Sequence, residues 1–216
     1  MNFYTLTYDE NPDFCAVYNP CFDMKYRNRS STGMRVGELH DTSVTFSMAR
    51  EVRGKMIPDL IRQVIGQFIV SPLVADVLKS VVNTEVEYLP VSLCNHRKKI
   101  VKNDLILVNV IGYYDCVDRT KTGGHPTGDL AALENLTAVK KDLPRREYED
   151  DNFPDYEYVQ ITRLFLRPER TPTDANLFRL RSYIRALIFR EDVVARLTEA
   201  KVTGATFVPL GQPVEI

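Results

Sequence analysis

The chain has 216 residues, 44% of them hydrophobic, with 28 Lys+Arg against 29 Asp+Glu for a net charge of -1. That is enough apolar material for one ordinary globular domain or two small lobes sharing a core. The balanced charge removes any whole-protein reason to expect nucleic-acid or membrane binding.

The N-terminus, MNFYTLTYDENPDFC, has no basic stretch and no apolar run, so no signal peptide is expected. FYTLTY reads as a strand. DLIRQVIGQF, Asp59 to Phe68, reads as helical. The longest nearly uncharged apolar run, Val64 to Val74, is far short of a membrane span. Ser71-Pro72 then makes a good helix start, with a capping oxygen followed by a proline whose missing N–H costs nothing there. Val74, Val77, Leu78 and Val81 fall at helical spacing. VEYLPVSL, a polar CNHRKK turn and DLILVNVIGYYDCV form a hairpin. Lys121 to Pro144 reads as a Gly-rich loop and then a weak helix. Pro144 to Pro154 is charged and irregular. YEYVQITRLFLRPE and NLFRLR are strands, and EDVVARLTEA is a second helix whose Glu191 and Asp192 suit the dipole of its first turn. Gly204 is placed to supply a left-handed residue at its exit.

Two stretches repeat each other. Ile69–Val91 lies over Ile188–Leu210 without a gap, with identities at Ile69/Ile188, Val74/Val193, Leu78/Leu197, Thr84/Thr203 and Pro90/Pro209. The gapless register predicts two equivalent strand–helix–strand units, with Tyr88 and Phe207 in matching, largely buried positions. The fold class expected is therefore α+β: a mixed or antiparallel sheet with packed helices, containing this repeated unit. No Gly/Ser/Pro linker splits the chain.

IVSPLVADVLKSVVNTEVEYLPV, then LVNVIGYYDCVDRTKT, then LFRL and IFREDVVARLTEAKVTGATFVPL resemble, in order, a bacterial immunity-protein family. It is the eleventh among polymorphic-toxin immunity families, once catalogued as a domain of unknown function and named for a myxobacterial member. The resemblance runs from Ile57 to Leu210. It divides the chain into residues 1–56, without a recognised match, and 57–216, an immunity-protein-like α+β domain expected to form one compact unit with the N-terminal part. It implies a cytoplasmic protein of interbacterial competition, in the setting of type VI secretion, that binds and neutralises a cognate toxin encoded beside it. It transfers no catalytic residue and no cofactor.

His40, His96 and His125 are widely spaced, and no CxxC, HExxH or HxH occurs. Cys94, His96 and Cys116 make an imaginable zinc cluster that lacks a carboxylate or second cysteine pair. In YYDCVDRTKTGG, Cys116 stands between Asp115 and Asp118, which oppose a thiolate, and Arg119 lies too close for a phosphate-cradling loop. The expectation is that Cys116 and Val117 pack at a strand end while Asp118 and Arg119 form a local ion pair or a turn. TKTGGHPTGD lacks the spacing of a phosphate loop. The four cysteines give no reason to expect a disulfide framework. HRKKIVKND, His96 to Asp104, is a basic turn that reads as solubilising, with a small anion or nucleic-acid patch as the alternative.

EYEDDNFPDYEYV, Glu147 to Val159, carries Glu147, Glu149, Asp150, Asp151, Asp155 and Glu157, no base, and Tyr148, Phe153, Tyr156 and Tyr158. Acids steer an encounter with a basic cleft and aromatic rings anchor it. The same stretch also reads as a solvated loop leading into the next strand. Glu147, Tyr148, Glu149, Asp150, Asp151, Phe153, Asp155 and Tyr156 are the candidate toxin contacts. Expected partners are the toxin, with no nucleic acid and no membrane; self-association stays open. Two other classes stay open beside immunity: a small hydrolase or transferase using Cys116 or the His96 region, and a scaffold subunit.

Overall fold

The computed structural model describes residues 1–9, 11–18, 33–37, 44–50, 54–63, 68–126, 158–181, 183 and 186–214. The described strands are β1 (Phe3–Tyr8), β2 (Ala16–Tyr18), β3 (Thr45–Met48), β4 (Leu60–Gln63), β5 (Phe68–Val70), β6 (Val86–Cys94), β7 (Ile100–Val110), β8 (Gly123–Pro126), β9 (Tyr158–Arg163), β10 (Leu177–Arg179), β11 (Leu187–Arg190) and β12 (Ala205–Pro209). The described helices are α1 (Pro72–Val81) and α2 (Glu191–Glu199). Strands dominate, so the class is α+β with mixed and antiparallel sheets.

Six strands close a barrel in the order β2-β3-β6-β7-β5-β4, and four make an open sheet in the order β10-β11-β1-β12. Every barrel strand contributes to one apolar cluster: Val17, Phe46, Ile61, Ile69, Leu89, Val91, Leu93, Leu105 and Leu107. The alternation of Leu89, Val91 and Leu93 along β6 is the period-two pattern of a strand with one face inward. One end of this interior is closed by residues 33–37. Glu87 accepts from the Val36 and Gly37 amides at 2.8 and 3.0 Å, and Asn109, opposite it in the ladder, donates to the Met34 carbonyl at 2.7 Å.

A second cluster fills the space between barrel, helices and sheet. The outward residues Leu60, Phe68, Val70, Val108 and Val110 meet Val74, Ala75 and Leu78 of α1, Val193 and Leu197 of α2, and Leu177, Leu187 and Phe189 of the open sheet. A third cluster covers the sheet's far face, where Phe178 and Ile188 pack on Cys116, Val117, Ile161 and Leu164.

The start of α1 is as expected. Pro72 occupies its first turn, and Ser71 Oγ accepts from the Val74 amide at 3.5 Å while donating to Asp59 Oδ1 at 2.8 Å. Asp59–Phe68 differs from the expected helix. Its described parts are strand β4 with Asp59 before it, and Phe68, the first residue of β5, which pairs antiparallel with β4. Leu60 and Ile61 are adjacent and both fully buried, one toward the helices and one into the barrel. A strand covered on both faces has a continuous apolar run that periodicity cannot tell from a helix. Gly123–Pro126, expected as loop, is strand β8 on β9. A β-carbon at Gly124 would strike the Gln160 carbonyl oxygen, so glycine there serves a close strand approach. The left-handed residue at the α2 exit is Lys201, with φ 54°; Gly204 has φ 96° further on, where a β-carbon would strike the Leu60 carbonyl oxygen.

Ile69–Val91 and Ile188–Leu210 both run strand, helix, strand. β5 and β6 each pair antiparallel with β7. β11 and β12 each pair antiparallel with β1. Ile69 and Leu89 both sit opposite Leu107, and Ile188 and Val208 both sit opposite Thr5. Tyr88 and Phe207 are half-buried rather than largely buried, because they lie at the border of the second cluster. Lys79 stands over the Tyr88 ring at 5.3 Å, and the Tyr88 hydroxyl, desolvated, has its pKa raised to about 12.

Candidate functional site

The acidic–aromatic segment expected to make contacts falls largely outside the described residues: Glu147, Tyr148, Glu149, Asp150, Asp151, Phe153, Asp155, Tyr156 and Glu157 all lie there. Its C-terminal end, Tyr158 and Val159, opens β9. Tyr158 pairs with Pro126, the last residue of β8. The described residues that flank 127–157 in the chain are thus paired with each other on a two-stranded ribbon. Ile161 of β9, fully buried in the third cluster, ties that ribbon to the core.

The Cys116 region is built by packing. Cys116 is fully buried and Val117 is 1% exposed, both in the third cluster. The Cys116 carbonyl accepts from the Arg167 amide at 2.8 Å, and the Asp118 amide donates to the Phe165 carbonyl at 2.9 Å. Around this point the charges pair within the protein. Arg119 Nη2 lies 2.9 Å from Asp115 Oδ1, with both side chains buried, and Arg170 approaches Asp115 at 3.8 Å. The ion pair expected between Asp118 and Arg119 is thus not the one formed. Asp118 instead accepts from the Thr120 hydroxyl at 2.6 Å and the Thr120 amide at 3.1 Å, with Lys121 at 3.5 Å, and these hold its carboxyl below the usual carboxylate range. It makes the turn that was the other expectation. A dissolved substrate cannot reach a sulfur with no exposed surface, so Cys116 as found is a packing residue.

The Cys94, His96 and Cys116 cluster does not assemble. Cys94 lies in the wall of the barrel 3.3 Å from Ser47 Oγ, Cys116 lies in the third cluster, and His96 is exposed on the hairpin turn. Among the described residues no group of three His, Cys, Asp or Glu side chains is placed to hold a metal ion. Cys15 is buried beside the barrel core, where desolvation raises its thiol to about 11.

Two surface features escaped the sequence. One is a cleft of about 720 Å³ at the edge of the open sheet, lined by Phe3, Tyr4, Phe165, Leu166, Pro168 and Leu210 among others, with no His, Cys, Asp or Glu in its lining. It forms from segments distant in the chain, so no local pattern announces it. The other is the tip of the β6–β7 hairpin, where Ile100 and Val101 are 55% and 41% exposed beside Arg97, Lys98 and Lys99. Its signal in HRKKIVKND is the aliphatic pair that follows the bases.

Among the described residues, what these features offer is contact surface: a cleft of mixed polar and apolar lining and a basic, aliphatic tip. No helix among the described residues is long and apolar enough to cross a membrane. No curated protein matches the chain. The model of the immunity protein family Imm11 matches residues 19–212, beginning well before Ile57, where the resemblance read from the sequence starts. That match spans most of the chain, and the protein belongs to the Imm11 immunity protein family.

Proposed function

We propose that the protein binds a cognate bacterial toxin, encoded beside it, and neutralises it by covering the toxin's active site or blocking its assembly. The observation that carries this reading is the family match over residues 19–212. Burial of Cys116 and the dispersal of Cys94, His96 and Cys116 weigh against the hydrolase alternative. The pair meets in the cytoplasm, within interbacterial competition of the type VI kind, and the toxin acts on an intracellular target. The mechanism needs no cofactor. The contact segment is Glu147–Val159, whose acids face a basic cleft and whose rings anchor in it. Its C-terminal residues Tyr158 and Val159 belong to strand β9, which supports this, since contact segments are commonly carried on rigid scaffolds. The test is expression of each flanking gene product with and without this chain. Growth rescue and co-purification with one of them are expected; rescue by none and co-purification with none overturn the reading.

We also propose that β5–α1–β6 and β11–α2–β12 are two copies of one unit. Support comes from the shared order, the matching registers about β7 and β1, and the equivalent bonds that start each helix: the Ser71 amide to the Asp59 carbonyl at 2.8 Å and the Arg190 amide to the Asn176 carbonyl at 2.9 Å.

A further inference from the structure

The tip of the β6–β7 hairpin has features that solubility does not account for. Residues His96 to Val101 are all exposed. The turn is nonetheless tightly organised. Asn95 Oδ1 accepts from the Arg97 and Lys99 amides at 2.9 and 3.1 Å, the Lys98 amide donates to the Asn95 carbonyl at 2.9 Å, and Lys98 takes the left-handed conformation at φ 59°. Beyond the turn Cys94 faces Ile100 and Leu93 faces Lys102, so Val101 is the extra residue of a bulge. In a regular strand one of two neighbours would point inward. The bulge breaks that alternation and leaves Ile100 and Val101 both outside.

Among the described residues no strand pairs with β7 on its β5 side beyond Ile106 to Val108. Lysines and a bulge on an open edge ordinarily deter unwanted pairing. Two exposed β-branched residues work the other way, since they gain from being covered. The other large exposed hydrophobics among the described residues, Met1, Met56 and Leu73, are scattered. Among the described residues Arg97, Lys98 and Lys99 pair with no carboxylate, whereas Lys102 pairs with Asp104 at 3.0 Å.

From this geometry we infer that the hairpin tip docks on an acidic surface of the toxin, with Ile100 and Val101 seated in an apolar hollow and Arg97, Lys98 and Lys99 set around it. The inference rests on the immunity reading above. A protein fits better than nucleic acid, because no Phe, Tyr or Trp lies between Asn95 and Asp104, and His96 alone makes no stacking platform for successive bases. It fits better than a bilayer, because two aliphatic side chains bury too little for stable insertion. The preformed turn lowers the ordering cost of binding.

The test uses the full chain and the toxin domain encoded beside it, with binding kinetics read at several salt concentrations. One variant carries Arg97→Ser, Lys98→Ser and Lys99→Ser; a second carries Ile100→Thr and Val101→Thr, which keep strand-forming residues. The first is expected to slow association about tenfold at low salt and to flatten its salt dependence. The second is expected to speed dissociation about tenfold. Both should melt with wild type. Wild-type binding with unchanged rates in both variants overturns the tip while leaving immunity intact. Absence of wild-type binding overturns both. Parallel arms use phosphatidylglycerol vesicles and single-stranded RNA; tip-dependent binding to either, with none to the toxin, reassigns the tip and overturns the proposal.

Discussion

Asp192, in the first turn of α2, accepts from Arg190 Nη2 at 2.7 Å and Nε at 2.9 Å and from Asn176 Nδ2 at 3.2 Å. Chiefly through the Arg190 bonds its carboxyl falls from 3.8 to about 2. A lowered folded-state pKa contributes stability that is fully present above the unfolded value and disappears as pH falls through the folded one. Asp192→Asn is therefore expected to lower the melting temperature at neutral pH and to flatten its fall between pH 4 and 2, read by thermal melts across that range. The side chain is 40% exposed, so solvent screening keeps the effect modest. Cys116 poses the other residue-scale question. Cys116→Ser puts a hydroxyl in a dry cluster and should cost about 1–2 kcal/mol in a urea melt. Toxin protection should persist wherever the variant is folded; complete loss from a folded variant would restore the enzyme reading.

At the scale of elements, the exits of the two helices tie barrel and open sheet together, the exit of α1 reaching the residue before β10 and the exit of α2 reaching β4. Asn83 and Asn176 each donate a backbone amide to the other's side-chain oxygen at 3.0 Å, and Asn176 also donates to the Val81 carbonyl at 2.8 Å. Thr203 and Asp59 make the corresponding link on the other side, with the Thr203 hydroxyl donating to Asp59 Oδ2 at 2.8 Å and the Leu60 amide to the Thr203 carbonyl at 2.9 Å. Asn176 is 1% exposed, so its removal strands buried groups from several elements. Asn176→Ala is expected to cost about 2–4 kcal/mol, and Asn83→Ala, whose side chain is exposed, about 1 kcal/mol. Urea denaturation of both checks the order; equal costs would mean the link is not a joint between barrel and open sheet.

Among the described residues three apolar clusters make up the core, and the proposed contact segment ends in strand β9, whose Ile161 belongs to the third of them. Against a basic toxin cleft, Asp150→Asn with Asp151→Asn should slow association and weaken its salt dependence. Phe153→Ala or Tyr156→Ala should cost about 2 kcal/mol each, mostly through faster dissociation. Binding kinetics beside a melt decide this; unchanged rates in all of them would make the segment a bystander and turn attention to the Lys121–Asp129 stretch.

By itself the sequence determined the elements with strong local signals. The Ser71-Pro72 start of α1, the alternating strands of the β6–β7 hairpin and the matching order of the two long segments follow from capping, period and register, which are properties of neighbours along the chain. The family was legible for the same reason, in contiguous phrases such as TGATFVPL. Tertiary structure decided the rest. Leu60 and Ile61 form a strand because two different clusters bury them from opposite sides. Gly124 belongs to a strand because Gln160 passes against it, and Asp115 gathers Arg170 as well as Arg119 because residues 164–170 pack beside it. Ile100 and Val101 are exposed together because a bulge shifts the register against β6. Each of these outcomes depends on a partner far away in sequence or on a pairing register, and neither quantity is encoded in local composition.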